Sequence, residues 1–235
     1  MNNTLKYYKN PQEVTKDAEK ICLWLGSDKE ILELGCHSGY FSSWLNKNNC
    51  KVTGIEINAN ALQEASPYLK KSICGNLEDP EIWNNFEKES FDAILLMHIL
   101  EHLINPEKIL KKSLEFLKKD GTVIIGLPNV SNAKDRFNMF FGKFEYTEIG
   151  VLDNTHLRFF NQKTARKLIF NAGLVIEEYF SSWRVNPVKH FFDHIPFLWR
   201  LGKKMKDIPT KIYKFSPNIT DVIMLYKCCL KKNQR

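Results

Sequence analysis

A short loop with two glycines and an acid at its start holds the residue types best suited to bind a small ligand. It reads Glu33-Leu34-Gly35-Cys36-His37-Ser38-Gly39, follows the apolar pair Ile31-Leu32 and precedes a helical pattern that begins at Tyr40. Glycine has no Cβ, so the backbone of such a loop can approach a ligand closely, and the helix start offers unpaired N–H groups. The spacing is neither the G-x-G-x-x-G of a dinucleotide site nor that of a P-loop. The loop therefore predicts a site for another nucleotide-like ligand at the carboxyl end of a first strand.

Two more ligand-type positions follow at the ends of the next two predicted strands. Glu56 ends the run Lys51–Glu56, where a carboxylate would accept hydrogen bonds from both hydroxyls of a ribose. Asn76 and Leu77 follow the next run; a polar side chain there could reach an adenine amino group, and an apolar one could pack on the ring. Together, the three strand ends are a stronger signal than one loop.

Three histidines are candidate general bases. His98 follows the apolar strand pattern of residues 91–96, and His102 lies four residues further, on the same side if this turn is helical. His156 stands near Asp153, which could orient its imidazole, and Arg158, which could bind an anionic acceptor. The alternative is a structural role for each histidine and a salt bridge between Arg158 and Asp153.

Strand and helix patterns alternate along most of the chain, which predicts an α/β fold with a doubly wound, mostly parallel sheet. The predicted strands cover about 30–34, 51–56, 71–74, 91–96, 122–127, 174–181 and 221–227. The predicted helices cover about 12–25, 40–48, 58–68, 105–119 and 163–172. Asn10 and Pro11 are the expected start signals of the first helix, and Asp120-Gly121 is the expected end of the fourth.

We expect a single domain over residues 1–235. The regular alternation of strand and helix patterns stops after Pro128, so we divide this domain into three parts. Residues of about 11–128 form the expected ligand-binding core, and about 129–162 an insertion that recognises a second substrate. The aromatic and basic stretch of about 183–215 is expected to be a lid or a packing segment. Its part 190–206 could instead make a peripheral membrane contact.

The composition is that of a globular chain, with 43% hydrophobic and 12% aromatic residues among 235. A formal net charge of +7 suits nucleic acid, an anionic membrane or an acidic small molecule, and equally a Lys-rich solvated surface. The start of the chain shows no signal-peptide pattern, and the cysteines have no C-x-x-C spacing. We therefore expect reduced thiols and a cytoplasmic location. We expect no metal site, because neither cysteines nor carboxylates cluster at the strand ends.

The motifs resemble those of class I S-adenosylmethionine-dependent methyltransferases. The resemblance rests on Glu33–Gly39, Glu56, Gly75–Leu77 and Phe91–Ile94, and His98–Leu103 is similar to the EVLEHL segment of the ubiquinone-methyltransferase-like branch. Asn76 stands where many relatives carry Asp, and His37 where smaller residues are commoner.

Later segments resemble bacterial methyltransferases associated with surface-polysaccharide synthesis. These segments are Leu127–Val130, Gly142–Thr147 and Leu152–Phe160. The whole resemblance covers residues of about 5–182.

The resemblance implies a Rossmann-like fold of seven strands, with the last strand antiparallel beside strand five. It implies S-adenosyl-L-methionine as cofactor, with S-adenosyl-L-homocysteine as product. The implied cofactor-binding residues are Glu33, Gly35, Cys36, Gly39, Tyr40, Glu56, Ile57, Asn76, Leu77 and Met97. The expected acceptor-binding residues are Tyr146, Arg158 and Tyr8, and the expected catalytic residues are His156, His102, His98 and Asp153.

The implied reaction is methyl transfer to an oxygen of a small polar acceptor, a carbohydrate-related or nucleotide-linked precursor of capsule or surface polysaccharide. We expect a monomer or homodimer without a nucleic-acid partner. The alternatives are an RNA methyltransferase, suggested by the net charge, and a non-catalytic cofactor-binding partner. Methylation of nucleobase amines or of cytosine C5 is disfavoured, because the Asn/Asp-Pro-Pro-aromatic turn after strand four and a Pro-Cys pair are both absent.

Overall fold

The computed structural model describes residues 14–185 and 217–231. Seven strands form one sheet in the order β3-β2-β1-β4-β5-β7-β6. The strands are β1 (Glu30–Leu34), β2 (Lys51–Glu56), β3 (Lys71–Cys74), β4 (Phe91–Met97), β5 (Leu117–Pro128), β6 (Leu174–Phe180) and β7 (Ile223–Leu230). Neighbours among β1–β5 pair in parallel, whereas β7 is antiparallel to both β5 and β6. The predicted doubly wound sheet and its antiparallel last strand are confirmed.

Helices cover both faces of this sheet. They are α1 (Lys16–Leu25), α2 (Tyr40–Lys47), α3 (Ala59–Ala65), α4 (Pro106–Ser113), α5 (Ala133–Phe140), α6 (Gln162–Asn171) and the short α7 (Pro217–Thr220). Neighbouring strand residues such as Leu32 and Ile31, or Ile94 and Leu95, belong to separate apolar clusters on opposite faces. Two buried faces are typical of parallel strands, and they leave the carboxyl edge of the sheet as the place for a ligand.

The first helix begins later than the sequence pattern predicted. Val14 and Thr15 are not helical, and the Thr15 side chain caps α1 by accepting a hydrogen bond from the Ala18 N–H. The predicted cap at Asn10 is therefore wrong for this helix, because a helix that starts at Lys16 takes its cap from Thr15. Asn10 and Pro11 themselves lie outside the described residues.

The fourth predicted helix ends earlier than expected, at Ser113, and a 3₁₀ turn then leads into β5. Leu117 is already paired with Phe91, and the register of the ladder shifts before Ala93 pairs with Thr122. The Asp120-Gly121 signal thus marks a tight bend inside β5, and its interpretation as a helix end was wrong. A Cβ on Gly121 would lie 2.5 Å from the Leu117 side chain, which explains why glycine stands in this bend.

The insertion between β5 and α6 is mostly irregular backbone, as the sequence predicted, but it also holds the helix α5, which the sequence pattern did not predict. It is tied to the sheet by the buried Asn129, whose side-chain amide donates to the carbonyls of Asn218 and Asp221. Residues 186–215 of the predicted lid or membrane-contact segment lie outside the described residues. Among the helices that the structure describes, none is long and apolar enough to cross a membrane.

Candidate functional site

The glycine loop at the end of β1 turns through three residues with positive φ. Gly35, His37 and Gly39 have φ of 72°, 46° and 80°. A Cβ on Gly39 would lie 2.9 Å from the backbone of Ala65, so α3 packs too closely for any other residue there. His37 adopts the left-handed conformation despite its side chain, and its backbone N–H donates to Glu56 at 3.0 Å. This places the loop directly against the acid that ends β2.

Two buried carboxylates flank this loop. The Glu56 carboxylate accepts from the backbone N–H groups of His37 and Asn58, at 3.0 and 2.9 Å. Glu33 is 2% exposed and accepts a hydrogen bond from the Ser42 hydroxyl on α2. Burial raises the pKa of Glu33 to about 8, against the effect of the Ser42 bond, and the charge of Glu56 adds to the rise.

These charges fit a cationic ligand better than a phosphate-bearing one. The ligand implied by the sequence has a positively charged sulfur and an ammonium group, and a cation beside Glu33 would favour the charged form of that carboxyl, which burial and Glu56 disfavour. A pyrophosphate would add negative charge beside them. The residues at the ends of β1 and β2 therefore fit S-adenosylmethionine, with Glu56 placed to accept hydrogen bonds from a ribose.

Several predicted cofactor residues have other partners in the structure. Tyr40 is 4% exposed, and its hydroxyl accepts the Thr15 N–H at 2.8 Å, so its side chain links α2 to the start of α1. Cys36 is buried against α3, and its N–H donates to Ile55. Met97 is 5% exposed and fills the space beside Gly126. Helix and sheet packing thus accounts for the described contacts of these three side chains.

Of the two apolar residues beside the predicted adenine site, one is buried and the other is exposed. Leu77 was expected to pack on the ring, but it is 5% exposed and lies in the core, where its carbonyl accepts the Trp83 indole N–H. Ile57, directly after the ribose acid, is 66% exposed and can offer the apolar surface instead. The Asn76 side-chain carbonyl accepts the Glu78 N–H, and a carbonyl oxygen has a second lone pair for another donor.

A cluster of two imidazoles and a carboxylate lies beyond the end of β4. The rings of His102 and His156 meet edge to face with centroids 4.7 Å apart, and Glu101 lies beside them. The backbone N–H groups of Leu157 and Arg158 both donate to the Glu101 carbonyl, at 2.9 and 3.0 Å. Those two bonds fasten the end of the insertion to the turn after β4, and so hold His156 against a residue 55 positions earlier in the chain (156 − 101).

The tautomers of the two rings follow from their neighbours. Nδ1 of His156 lies 3.1 Å from the Val151 carbonyl, and Nδ1 of His102 lies 3.2 Å from the Thr155 carbonyl. A carbonyl can only accept, so each Nδ1 carries a proton. Burial lowers the pKa of His156, although Glu101 opposes the shift, so its ring is neutral at pH 7.

Asp153 supports this cluster differently from the prediction. We expected it to orient His156, but the Nδ1 atom that would make this bond lies beside Val151. The buried Asp153 carboxylate instead accepts from the backbone N–H and the hydroxyl of Thr155, whose hydroxyl oxygen lies 3.2 Å from Nδ1 of His102. Asp153 therefore fixes Thr155 and, through it, His102.

His98 lies at the strand end with a strained backbone. Its φ is 54°, and its Nδ1 is 3.6 Å from the Glu101 carboxylate. Burial by itself would lower the pKa of His98. The pKa is nevertheless raised, because Glu101 is close to the ring and the charge of Asp17 on α1 adds to its effect. Sequence reasoning missed both acids. The spacing of Glu101 from His98 by three residues was the available signal for one of them.

The two predicted acceptor residues that the structure describes, Arg158 and Tyr146, make other contacts. Arg158 donates to the carbonyls of Ile104 and Leu157. These bonds are different from the salt bridge to Asp153 that was the alternative to an acceptor contact. Tyr146 is 61% exposed and packs edge to face on Phe144, with centroids 5.5 Å apart. Tyr8 lies outside the described residues. Close to Tyr146 in sequence, other insertion residues and Trp183 line a cavity of about 410 Å³.

Comparison with known proteins places the fold among methyltransferases. The family described as "Methyltransferase domain" matches residues 7–179. A SAM dependent methyltransferase from Archaeoglobus fulgidus superposes with a TM-score of 0.66 at 13% identity, covering 95% of this chain and 96% of the other. An S-adenosylmethionine dependent methyltransferase from Mesorhizobium loti gives 0.54 at 14% identity, covering 90% and 95%. At sequence identities this low, the similarity shows a shared fold and nothing more.

Curated relatives are similar over about half of this chain. The ubiquinone biosynthesis O-methyltransferase of Glaesserella parasuis is 31% identical over 108 residues, which are 43% of this chain and 46% of that protein. The ribosomal RNA small subunit methyltransferase C of Buchnera aphidicola is 29% identical over 147 residues, covering 58% and 44%. The chain thus spans about half the length of the curated relatives it matches.

Proposed function

This chain belongs to the methyltransferase-domain family, and from that premise we propose that it transfers a methyl group from S-adenosylmethionine to an oxygen of a small polar acceptor. The enzyme class and the cofactor predicted from the sequence are confirmed at the level of the family and its fold neighbours. We propose in addition which acceptor is methylated, at which atom, and by which residues.

The cluster of Glu101, His102 and His156 is the observation that carries the choice of oxygen. Methyl transfer is an in-line displacement, and alignment of the reactants can contribute about 7–11 kcal/mol. An alcohol must in addition lose a proton, and a positioned base adds about 10²–10⁴-fold. The neutral imidazole of His156, beside the Glu101 carboxylate, can take that proton. The cluster follows β4, where the methionyl end of the cofactor is expected.

We propose a carbohydrate-related or nucleotide-linked acceptor used in surface-polysaccharide synthesis. Residues 152–160 resemble methyltransferases of that kind. The insertion cavity supports a sugar-like ligand, because Asn138, Lys143 and Glu145 line it together with the indole of Trp183, which is 54% exposed. Polar groups that converge beside an aromatic surface suit a ring with many hydroxyls.

An acceptor screen with labelled methyl donor tests the proposal. We expect label to enter nucleotide sugars as an O-methyl ether, identified by mass spectrometry of the product. Label in ribosomal RNA fragments would favour the RNA methyltransferase instead. Absence of turnover with every acceptor in the screen would support the non-catalytic alternative.

The variant His156→Ala separates catalysis from folding. We expect turnover to fall by about 10²-fold or more, the amount a positioned base contributes, with unchanged donor affinity by calorimetry. The exposed Leu23→Ala on α1 serves as the control. If activity and donor binding of His156→Ala fall together, the role of His156 is structural.

A further inference from the structure

We propose that Glu101, His102 and His156 bind a divalent transition-metal ion, which in turn binds the acceptor oxygen. One ligand atom from each of the three side chains lies within 4.8 Å of the others. Metal–ligand bonds of about 2.0–2.2 Å place tetrahedral ligand atoms about 3.4 Å apart. Closing the cluster around an ion therefore needs the widest pair to approach by about 1.4 Å at most.

The carboxylate of Glu101 gives the main support for a cation at this place. Glu101 is 1% exposed, and within the described part of the chain neither of its carboxylate oxygens has a hydrogen-bond partner. Its nearest basic group, Nδ1 of His98, is 3.6 Å away, beyond the usual hydrogen-bond distance. A buried carboxylate without hydrogen bonds is costly. A metal ion between it and the imidazoles would offset that cost.

Both imidazoles are already oriented as metal ligands. Nδ1 of each ring faces a backbone carbonyl, Thr155 for His102 and Val151 for His156. Metal-binding histidines usually make this second bond, which fixes the ring and leaves Nε2 for the metal. The contact of Thr155 with the buried Asp153 adds a further layer of support around His102.

Two imidazoles and one carboxylate are typical of zinc and of first-row ions such as iron, manganese and cobalt, whereas magnesium prefers oxygen ligands alone. Three protein ligands leave coordination positions open, as in catalytic sites. The role in catalysis rests on the proposed oxygen methylation. With the ion bound, the imidazoles would be ligands and would no longer serve as the base. The acceptor O–H would instead bind the ion and lose its proton to water, because the ion lowers the hydroxyl pKa. Its oxygen would then form the C–O bond with the methyl carbon as the C–S bond breaks, and the electron pair of that bond would remain on sulfur.

This proposal departs from our expectation that the chain has no metal site. That expectation rested on cysteines and on clustered carboxylates, whereas the ligands proposed here are mainly imidazoles. His102 and His156 are separated by 54 positions (156 − 102), so only the folded insertion brings them together.

Metal binding by the full chain, freed of metal with a chelator and without acceptor, tests the site directly. We expect titration with Zn²⁺ to show one saturable site, and Co²⁺ to develop visible absorption bands that Zn²⁺ displaces. The variants Glu101→Gln and His156→Ala should each weaken Zn²⁺ binding at least tenfold. The control Cys74→Ser removes an exposed thiol that could also bind these ions, and it should leave binding unchanged.

Several results would overturn the site: wild type that binds neither Zn²⁺ nor Co²⁺ saturably, loss of binding in Cys74→Ser, or full binding in both ligand variants. If a ligand variant is unfolded, His102→Gln and the Co²⁺ spectrum of the wild type replace it. Metal binding without oxygen methylation in the acceptor screen would refute only the proposed function. Full methylation by the chelated protein would refute only the metal's part in the reaction.

Discussion

The buried acid Glu33 makes the stability of this protein depend on pH in a way that one substitution should abolish. The folded protein holds a proton on Glu33 up to a pH of about 8, whereas the unfolded chain releases it near the ordinary value of 4.5. A raised acid pKa means that stability falls as pH rises through this window. Each pH unit inside it costs at most about 1.36 kcal/mol. Between pH 5.5 and 7.5 the wild type should therefore lose up to about 2.7 kcal/mol more than Glu33→Gln.

Urea unfolding of the ligand-free protein at several pH values between 5 and 8.5 measures this difference. Glutamine is close to glutamate in size and can still accept the hydrogen bond that the Ser42 hydroxyl donates. All other titrating groups are shared by the two proteins, so their contributions cancel in the difference. Glu64→Gln, at an exposed position of α3, is the matched control and should run parallel to the wild type. Parallel curves for Glu33→Gln and wild type would refute the buried, protonated acid.

Two more predictions concern the glycine loop. Glu56→Ala should weaken S-adenosylmethionine binding by about tenfold to hundredfold, measured by calorimetry, because it removes hydrogen bonds to a carboxylate that are worth about 1.5–3 kcal/mol; unchanged affinity would remove the ribose contact. Gly39→Ala should lower the free energy of unfolding by more than about 1 kcal/mol, since φ is +80° and the added Cβ would lie 2.9 Å from the Ala65 backbone. Urea unfolding measures this change, and an unchanged free energy of unfolding would mean that α3 can move away from the added Cβ.

The parts of the fold that the sequence predicted well are those whose signals are local. An apolar run followed by Gly35 or by Glu56 marks a strand end without knowledge of the rest of the chain, and both strand ends lie where expected. The Asp120-Gly121 pair was misinterpreted for the same reason. It is a good local stop signal, but pairing of Leu117 with Phe91 turned the segment into a strand with a bend.

Side-chain direction at a strand end could not be predicted, because tertiary contacts decide it. Leu77 and Ile57 are both apolar residues beside the expected adenine position. The indole of Trp83 holds the Leu77 carbonyl, and the side chain of Leu77 points into the core, whereas Ile57 remains exposed. The hydroxyl of Tyr40 likewise accepts the Thr15 N–H. None of these partners is marked by sequence spacing.

The two halves of the candidate site therefore have different origins. The cofactor half is built from successive strand ends, where local sequence sets both the loop and the acids Glu33 and Glu56. The acceptor half depends on the insertion, which two backbone hydrogen bonds to the Glu101 carbonyl hold against the turn after β4. If the insertion recognises the acceptor as proposed, changes in it would alter the acceptor while the strand ends keep the donor. Relatives named for ubiquinone biosynthesis and for ribosomal RNA share similarity with this chain over about half their length, which is consistent with that division.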